Sequence, residues 1–206
     1  MIGPDLTPQA VMMRLLAGLL IAMVQGAAIA GTAVLLGDKG PRHDGRFALL
    51  SWSHVDLLGL GSLMLTGFGW GRPVAVDPHE LRPGRWGLLA VVLAGSISLL
   101  LTSFLLLQLV APLLRGLDFT AGVTAVAFVR EAARLCVVMA LLSLLPIPPL
   151  AGAHFLAALG VPVPRQAGSY LGWVIVIASV LGVTRLVLKP GFDVIAPLVL
   201  GPDSFL

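Results

Sequence analysis

Chemistry in this chain would have to come from few side chains, because its 206 residues hold only four histidines, one cysteine and ten Asp plus Glu. His79-Glu80 begins like the helical H-E-x-x-H signature, in which two imidazoles one turn apart grip zinc and the glutamate acts as base on the bound water. Pro83 stands where the second histidine would be, and Gly71 to Arg85 is rich in proline and charge, so a solvated interfacial loop is expected there. His54 and Asp56 open an apolar segment. They are expected to form a buried, hydrogen-bonded polar pair anchoring a surface hairpin, with a metal or proton role as the sharper alternative. His154 follows Ala151-Gly152 on an apolar stretch and is expected to be a satisfied intramembrane polar residue; such ionisable groups are costly and often functional. His43 is expected to be exposed. Cys136 stands alone, which excludes an intramolecular disulfide and a cysteine metal cluster. No serine can be placed with a His and an Asp for nucleophilic catalysis, and no glycine loop has phosphate-binding context.

The elements that must position these groups are membrane elements. The chain is 58% hydrophobic and 11% charged, against roughly 25% charged in a soluble domain. No charged side chain lies between Arg14 and Asp38, Arg85 and Arg115, Arg134 and Arg165, or Arg165 and Arg185. Each gap is long enough for a spanning helix, which needs about 20 apolar residues; a fifth, between Asp56 and Arg72, is short. The basic residues behind the net charge of +3 sit at the ends of apolar runs, as interfacial anchors do. No basic run with interleaved aromatics exists, so nucleic acid is not an expected partner.

A single membrane domain over residues 1–206 is expected, all-α and polytopic, with four to five transmembrane helices and a small interfacial strand element at Arg46 to Trp52. Helix one should run from Pro8, after Thr7, to Leu36, before Gly37-Asp38. A short apolar segment should cover Leu57 to Phe68, and a long helix Trp86 to Leu114. Asp118 to Arg134 reads as an amphipathic connection, followed by a helix to Leu145 that Pro146, Pro148 and Pro149 must break. A last helix should cover Ala167 to Leu188, with an interfacial tail punctuated by Gly and Pro after it.

Two passages carry a family resemblance. They are Phe68-Gly69-Trp70-Gly71-Arg72-Pro73-Val74-Ala75-Val76, followed by Ala94-Gly95-Ser96, and Leu144-Leu145-Pro146-Ile147-Pro148-Pro149-Leu150-Ala151-Gly152. Leu36-Gly37-Asp38, Gly45-Arg46 and His54-Val55-Asp56 with Gly59 fall in the same order as further family elements. Together these resemble the site-2 protease family of intramembrane zinc metalloproteases, over about residues 15–160, with the helix and apolar tail of residues 167–206 as an addition. The resemblance implies a zinc site held by H-E-x-x-H on helix one and by the Asp of L-D-G after the proline turn. On that spacing the first His falls on Gln25, the Glu on Gly26, the second His on Ile29 and the Asp on Ala151; two family Asn positions fall on Leu99 and Ser143.

The expectation from these degenerate positions is a pseudoenzyme without metal, cofactor or catalytic residues, although a bound lipid or pigment is allowed. Gly18, Ala22, Gly26 and Ala30 recur every four residues on helix one, and such a small-residue face permits close helix approach. Its Gly26 and Ala30 end is expected to meet the proline-broken helix and its Gly18 and Ala22 end a partner. The functional expectation is therefore an accessory subunit or scaffold in the bacterial cytoplasmic (inner) membrane. Besides membrane lipids, it would bind transmembrane helices of a larger complex, for example a respiratory or photosynthetic one. An intramembrane peptidase with unorthodox ligands and a lipid-, pigment- or quinone-binding protein are the alternatives.

Overall fold

Thr7 accepts a hydrogen bond from the Ala10 N–H, and Pro8, which has no N–H to leave unpaired, opens the first turn of α1 (Pro8–Leu36). Gly37, at φ +125°, ends it. The computed structural model describes residues 6–46, 48, 51–162, 164 and 166–201. After α1 come α2 (Gly40–His43), a 3-10 turn (Trp52–His54), α3 (Leu57–Thr66), a second 3-10 turn (Gly84–Trp86) and α4 (Gly87–Gln108). Then follow α5 (Val110–Gly116), α6 (Phe119–Leu142), α7 (Ala153–Ala158), α8 (Ala167–Val180) and α9 (Val183–Leu200).

The protein is an all-helical membrane protein, and fewer of its helices have the length and apolarity of a span than the charge gaps suggested. Among the described residues, two helical stretches are long and apolar enough to cross a bilayer, Pro8–Leu36 and Gly84–Gly116. A third exists if α8 and α9, bent by 78° at Gly182, make one span. The expected connection and helix four are one helix, α6, whose charges sit inside it. Buried Arg14 on α1 pairs with Glu131 at 3.6 Å, and Glu131 also pairs with Arg134 one turn on. The expected tail is helical too, since α9 runs through Pro190 and Pro197. Of the expected strand, Phe47, Leu49 and Leu50 lie outside the described residues. Among the described residues no strand occurs: Arg46 is in a turn, Ala48 in a bend, and Trp52 starts the 3-10 turn.

The core is built where α4 packs against both α1 and α6. Gly95 permits this, because a Cβ there would stand 2.8 Å from Ile29 Cγ1 and 3.4 Å from Gln25 Cγ. Leu99, Leu135, Val137 and Leu142 fill the centre with no exposed surface to speak of. Exposed apolar side chains such as Leu101, Phe104, Trp173 and Ile177 line the outside, which suits hydrocarbon rather than water.

Candidate functional site

The site is assembled by three backbone devices. Asp38, buried at the end of α1, accepts from the Gly40 N–H through Oδ1 (2.8 Å) and from the Asp77 N–H through Oδ2 (2.9 Å). The Arg82 N–H donates to the Leu36 carbonyl (2.8 Å), so the loop after Trp70 is stapled back along α1. Arg46 Nη1 donates to the Arg72 and Pro73 carbonyls and holds the extended segment from its other side. The third device is the proline turn. Pro146, Pro148 and Pro149 cannot donate, and the chain answers by donating from Leu145 to Leu142 O, from Ile147 to Leu145 O and from Gly152 to Ser143 O (2.7 Å). This satisfies carbonyls that a broken helix would otherwise leave bare in an apolar setting.

These devices bring the family-frame positions together. Gln25, Gly26, Ile29 and Ala151 all line one cleft of about 30 Å³, with Gly71, Val74, Ser143 and His154 in the same wall. The residue types limit what the cleft can hold. Ser143 donates to the Ala140 carbonyl (2.8 Å) and pairs with Ser96 on α4 (3.0 Å). His154 Nε2–H donates to the Val74 carbonyl (3.1 Å), which ties α7 to the extended segment. Leu99, on the other family Asn position, is buried in the core.

His54 is the residue that sequence reasoning misplaced. It does not pair with Asp56, which instead caps α3 by accepting from the Gly59 N–H (2.8 Å). His54 is 0% exposed, its Nε2–H donates to the Ala48 carbonyl (3.1 Å), and its Nδ1 has no partner among the described residues. A Cβ on Gly26 would collide with that Nδ1. The glycine thus makes room for the imidazole. The other end of the small-residue face is not free for a partner. Gly18 abuts Leu60 and Leu63 of α3, Ala22 abuts Gly71, and Ala30 packs with Val74 and Val91. Sequence offered one clue, the presence of both a glycine and a histidine, but nothing local links positions 26 and 54.

Burial lowers the His54 pKa below its ordinary 6.5, hydrogen bonding to the Ala48 backbone opposes this, and Arg46 acts both ways, its charge lowering the value and its backbone raising it. The unfolded chain takes up this proton near the ordinary value while the folded site resists it. Stability from this seat is therefore present above that pH and is lost as pH falls from it toward the lowered folded value. We expect the unfolding midpoint to drop on acidification from about pH 7.5 to about pH 5.5, and His54→Gln to lose part of that drop. Equal pH dependence in both proteins would contradict the neutral, buried seat.

On the far side of the proline turn lies a second space, an apolar cavity of about 430 Å³ walled by Leu145, Pro148, Leu171, Ala178 and Val187 among others. Leu150 lines both spaces, so the turn is the partition between the smaller cleft and the apolar cavity. His79 stays on the outer loop, where its N–H donates to Asp77 Oδ1.

No protein-family profile matches the chain, and no solved structure matches it. A curated protein of Bacillus subtilis (strain 168), named "Putative zinc metalloprotease YwhC", is 32% identical over 184 residues, covering 84% of this chain and 80% of the relative. That likeness corrects two expectations. The chain was expected to be a pseudoenzyme and to need no cofactor, whereas a relative this similar bears the name of a zinc metalloprotease, pointing to the protease class and to zinc. The side chains present do not fit that ion as the sequence frame would hold it. Catalytic zinc takes three protein ligands drawn from His, Cys, Asp and Glu, and the four frame positions here supply an amide, a hydrogen, an alkyl group and a methyl. Among the described residues no cluster of three or more His, Cys, Asp and Glu could hold a metal. With the ordered motifs now placed around one cleft, identity at this level over four fifths of the relative gives the assignment: the chain belongs to the site-2-protease-like family of membrane metalloproteases.

Proposed function

We propose that the chain docks a transmembrane helix of another membrane protein beside the Pro146–Pro149 turn, as a scaffold or accessory subunit of a larger assembly in a bacterial cytoplasmic membrane. The observation that supports this best is the pair of spaces sharing Leu150, an apolar cavity of about 430 Å³ backed by a smaller cleft. Lipid chains are as apolar as leucine, so a flat apolar face has no preference for protein over lipid. A concave one does, because a rigid helix fills it with many dispersion contacts at once. The proposal concerns binding, and docking a helix is the first requirement of an intramembrane protease as much as of a scaffold.

Gentle extraction followed by mass spectrometry of the intact assembly tests the reading. The expected result is this chain with a stoichiometric membrane-spanning partner. A chain that emerges repeatedly as a bare monomer or homo-oligomer overturns it.

A further inference from the structure

Arg14 is a buried charge on the spanning helix α1 that its surroundings neutralise only in part. Its Nε lies 3.6 Å from Glu131 Oε1, too far for a hydrogen bond, and has no other partner among the described residues. Glu131 is committed elsewhere, because Arg134 Nε donates to Oε2 (3.2 Å) and Arg134 Nη2 to Oε1 (3.4 Å). The remaining hold on Arg14 is neutral, the Met64 carbonyl accepting from Nη1 at 3.3 Å. Among the described residues, two guanidinium groups thus share one carboxylate, and the cluster keeps a net positive charge. Arg130 adds to it, being exposed, one turn before Arg134 on the same face of α6, and in no ion pair among the described residues.

Depth decides what this charge can meet. The Leu36 end of α1 carries Asp38 and receives the Arg82 N–H, so it marks one polar boundary of the membrane. From there back to Arg14 the helix rises by about 33 Å, close to the roughly 30 Å thickness of the hydrocarbon core. Arg14 and Glu131 therefore stand at the opposite boundary, the level of lipid phosphates. The cluster opens outward, since the Arg134 side chain is 33% exposed and that of Arg14 only 9%. Charge at this depth is costly without a counter-charge, and guanidinium forks match the oxygens of a phosphate.

We propose that Arg130 and Arg134, with buried Arg14 behind them, bind the phosphate of an anionic phospholipid at the seam between α1 and α6. Arg130 and Arg134 donate to the phosphate oxygens. Arg14 is a positioning residue: its charge offsets Glu131, which would otherwise repel the anion. A zwitterionic lipid fits less well, because its ammonium group meets the same positive field. None of these residues lines the cleft or the apolar cavity, so the site stands apart from helix docking, and either can fail without the other.

The test titrates the full chain in mild detergent with phosphatidylglycerol or phosphatidylcholine carrying the same pyrene-labelled acyl chain. Binding is read as energy transfer from the protein's tryptophans. The unmodified chain should bind phosphatidylglycerol about tenfold more tightly, the order of one charge-assisted hydrogen bond. Arg130→Gln combined with Arg134→Gln should abolish that preference. Lys39→Gln combined with Arg42→Gln removes the same charge from exposed positions at the other boundary and should leave the preference intact. Glu131→Gln, which removes the carboxylate that competes for Arg134, should increase it. Excess inorganic phosphate should not displace the lipid. The proposal is overturned by equal binding of the two lipids to the unmodified chain, or by a preference that survives the Arg130 and Arg134 pair. It is also overturned if the Lys39 and Arg42 pair loses the preference equally, since net charge alone would then explain it. Displacement by phosphate would assign the site to the free ion, and a Glu131→Gln variant without the increase would make the cluster a structural tie; either overturns the lipid site. Arg130 and Arg134 reach the surface, so their variant decides the matter even where Glu131→Gln does not fold.

Discussion

Replacing Gly26 with leucine should destabilise the protein by about 1–3 kcal/mol or more, the range for forcing bulk into a packed site. The collision is with the His54 ring, which cannot swing aside freely, because its Nε2–H is fixed on the Ala48 carbonyl and no part of the side chain is exposed. Gly31 is the control on the same helix: a Cβ there meets nothing within 4 Å, so Gly31→Leu should stay within the small effects of surface changes. A double-mutant cycle separates this local clash from a general intolerance of α1. His54→Ala alone should destabilise by leaving a void, yet in the Gly26→Leu background it should restore part of the lost stability, giving strong coupling between two residues 28 positions apart in the chain. The readout is the unfolding midpoint in mild detergent. Additive effects of the two substitutions would show that His54 does not occupy the space over Gly26.

The second large effect concerns metal. Gln25 and Ile29 lie one turn apart on α1, and both line the cleft that also holds Ala151. Installing ligands at all three, as Gln25→His, Ile29→His and Ala151→Asp together, should create a site with the three donors that zinc requires. The triple variant should hold zinc more tightly than any of the single variants by more than about a hundredfold, because one ligand alone cannot exclude water from the ion. Zinc per chain after chelator washing is the measurement. A triple variant no better than the singles would mean that the proline turn does not bring Ala151 to the α1 face, and the family frame would fail here. Position 26 is left out by design, since His54 fills the volume a glutamate would need.

Much of the architecture was legible because local signals dominate it. Thr7-Pro8 and Gly37-Asp38 bound α1 to the residue, and three prolines within four positions leave a helix no way to continue past Leu145. The four family-frame positions were legible as a set, since fixed spacing on α1 and a fixed distance from the proline turn place them in one cleft. What failed was tertiary. Arg130, Glu131 and Arg134 looked like the charge of a surface connection, but Arg14, far off in sequence, pairs with Glu131 inside α6. Pro190 and Pro197 looked like breakers of a tail, yet neighbouring packing carries α9 through them, with Leu188, Phe192 and Ala196 buried. The His54 seat on Gly26 could not be read either, because it is a long-range fit between a side chain and the absence of one. Gly59 and Gly69 make the same point, since a Cβ on either would strike the backbone of the other's segment.

On the docking reading, a foreign transmembrane helix lies in the space beside the proline turn. The most direct measurement places a photo-crosslinking side chain at Ala178, which lines the apolar cavity, and compares it with one at Leu101, which is 58% exposed on the outer face of α4. Both chains are irradiated in native membranes, and the linked peptides are mapped. Ala178 should link in high yield to one membrane-spanning segment of a single other protein, and Leu101 should not. Crosslinks at Ala178 only to lipid, or only to the same mixture of segments captured at Leu101, would contradict the account.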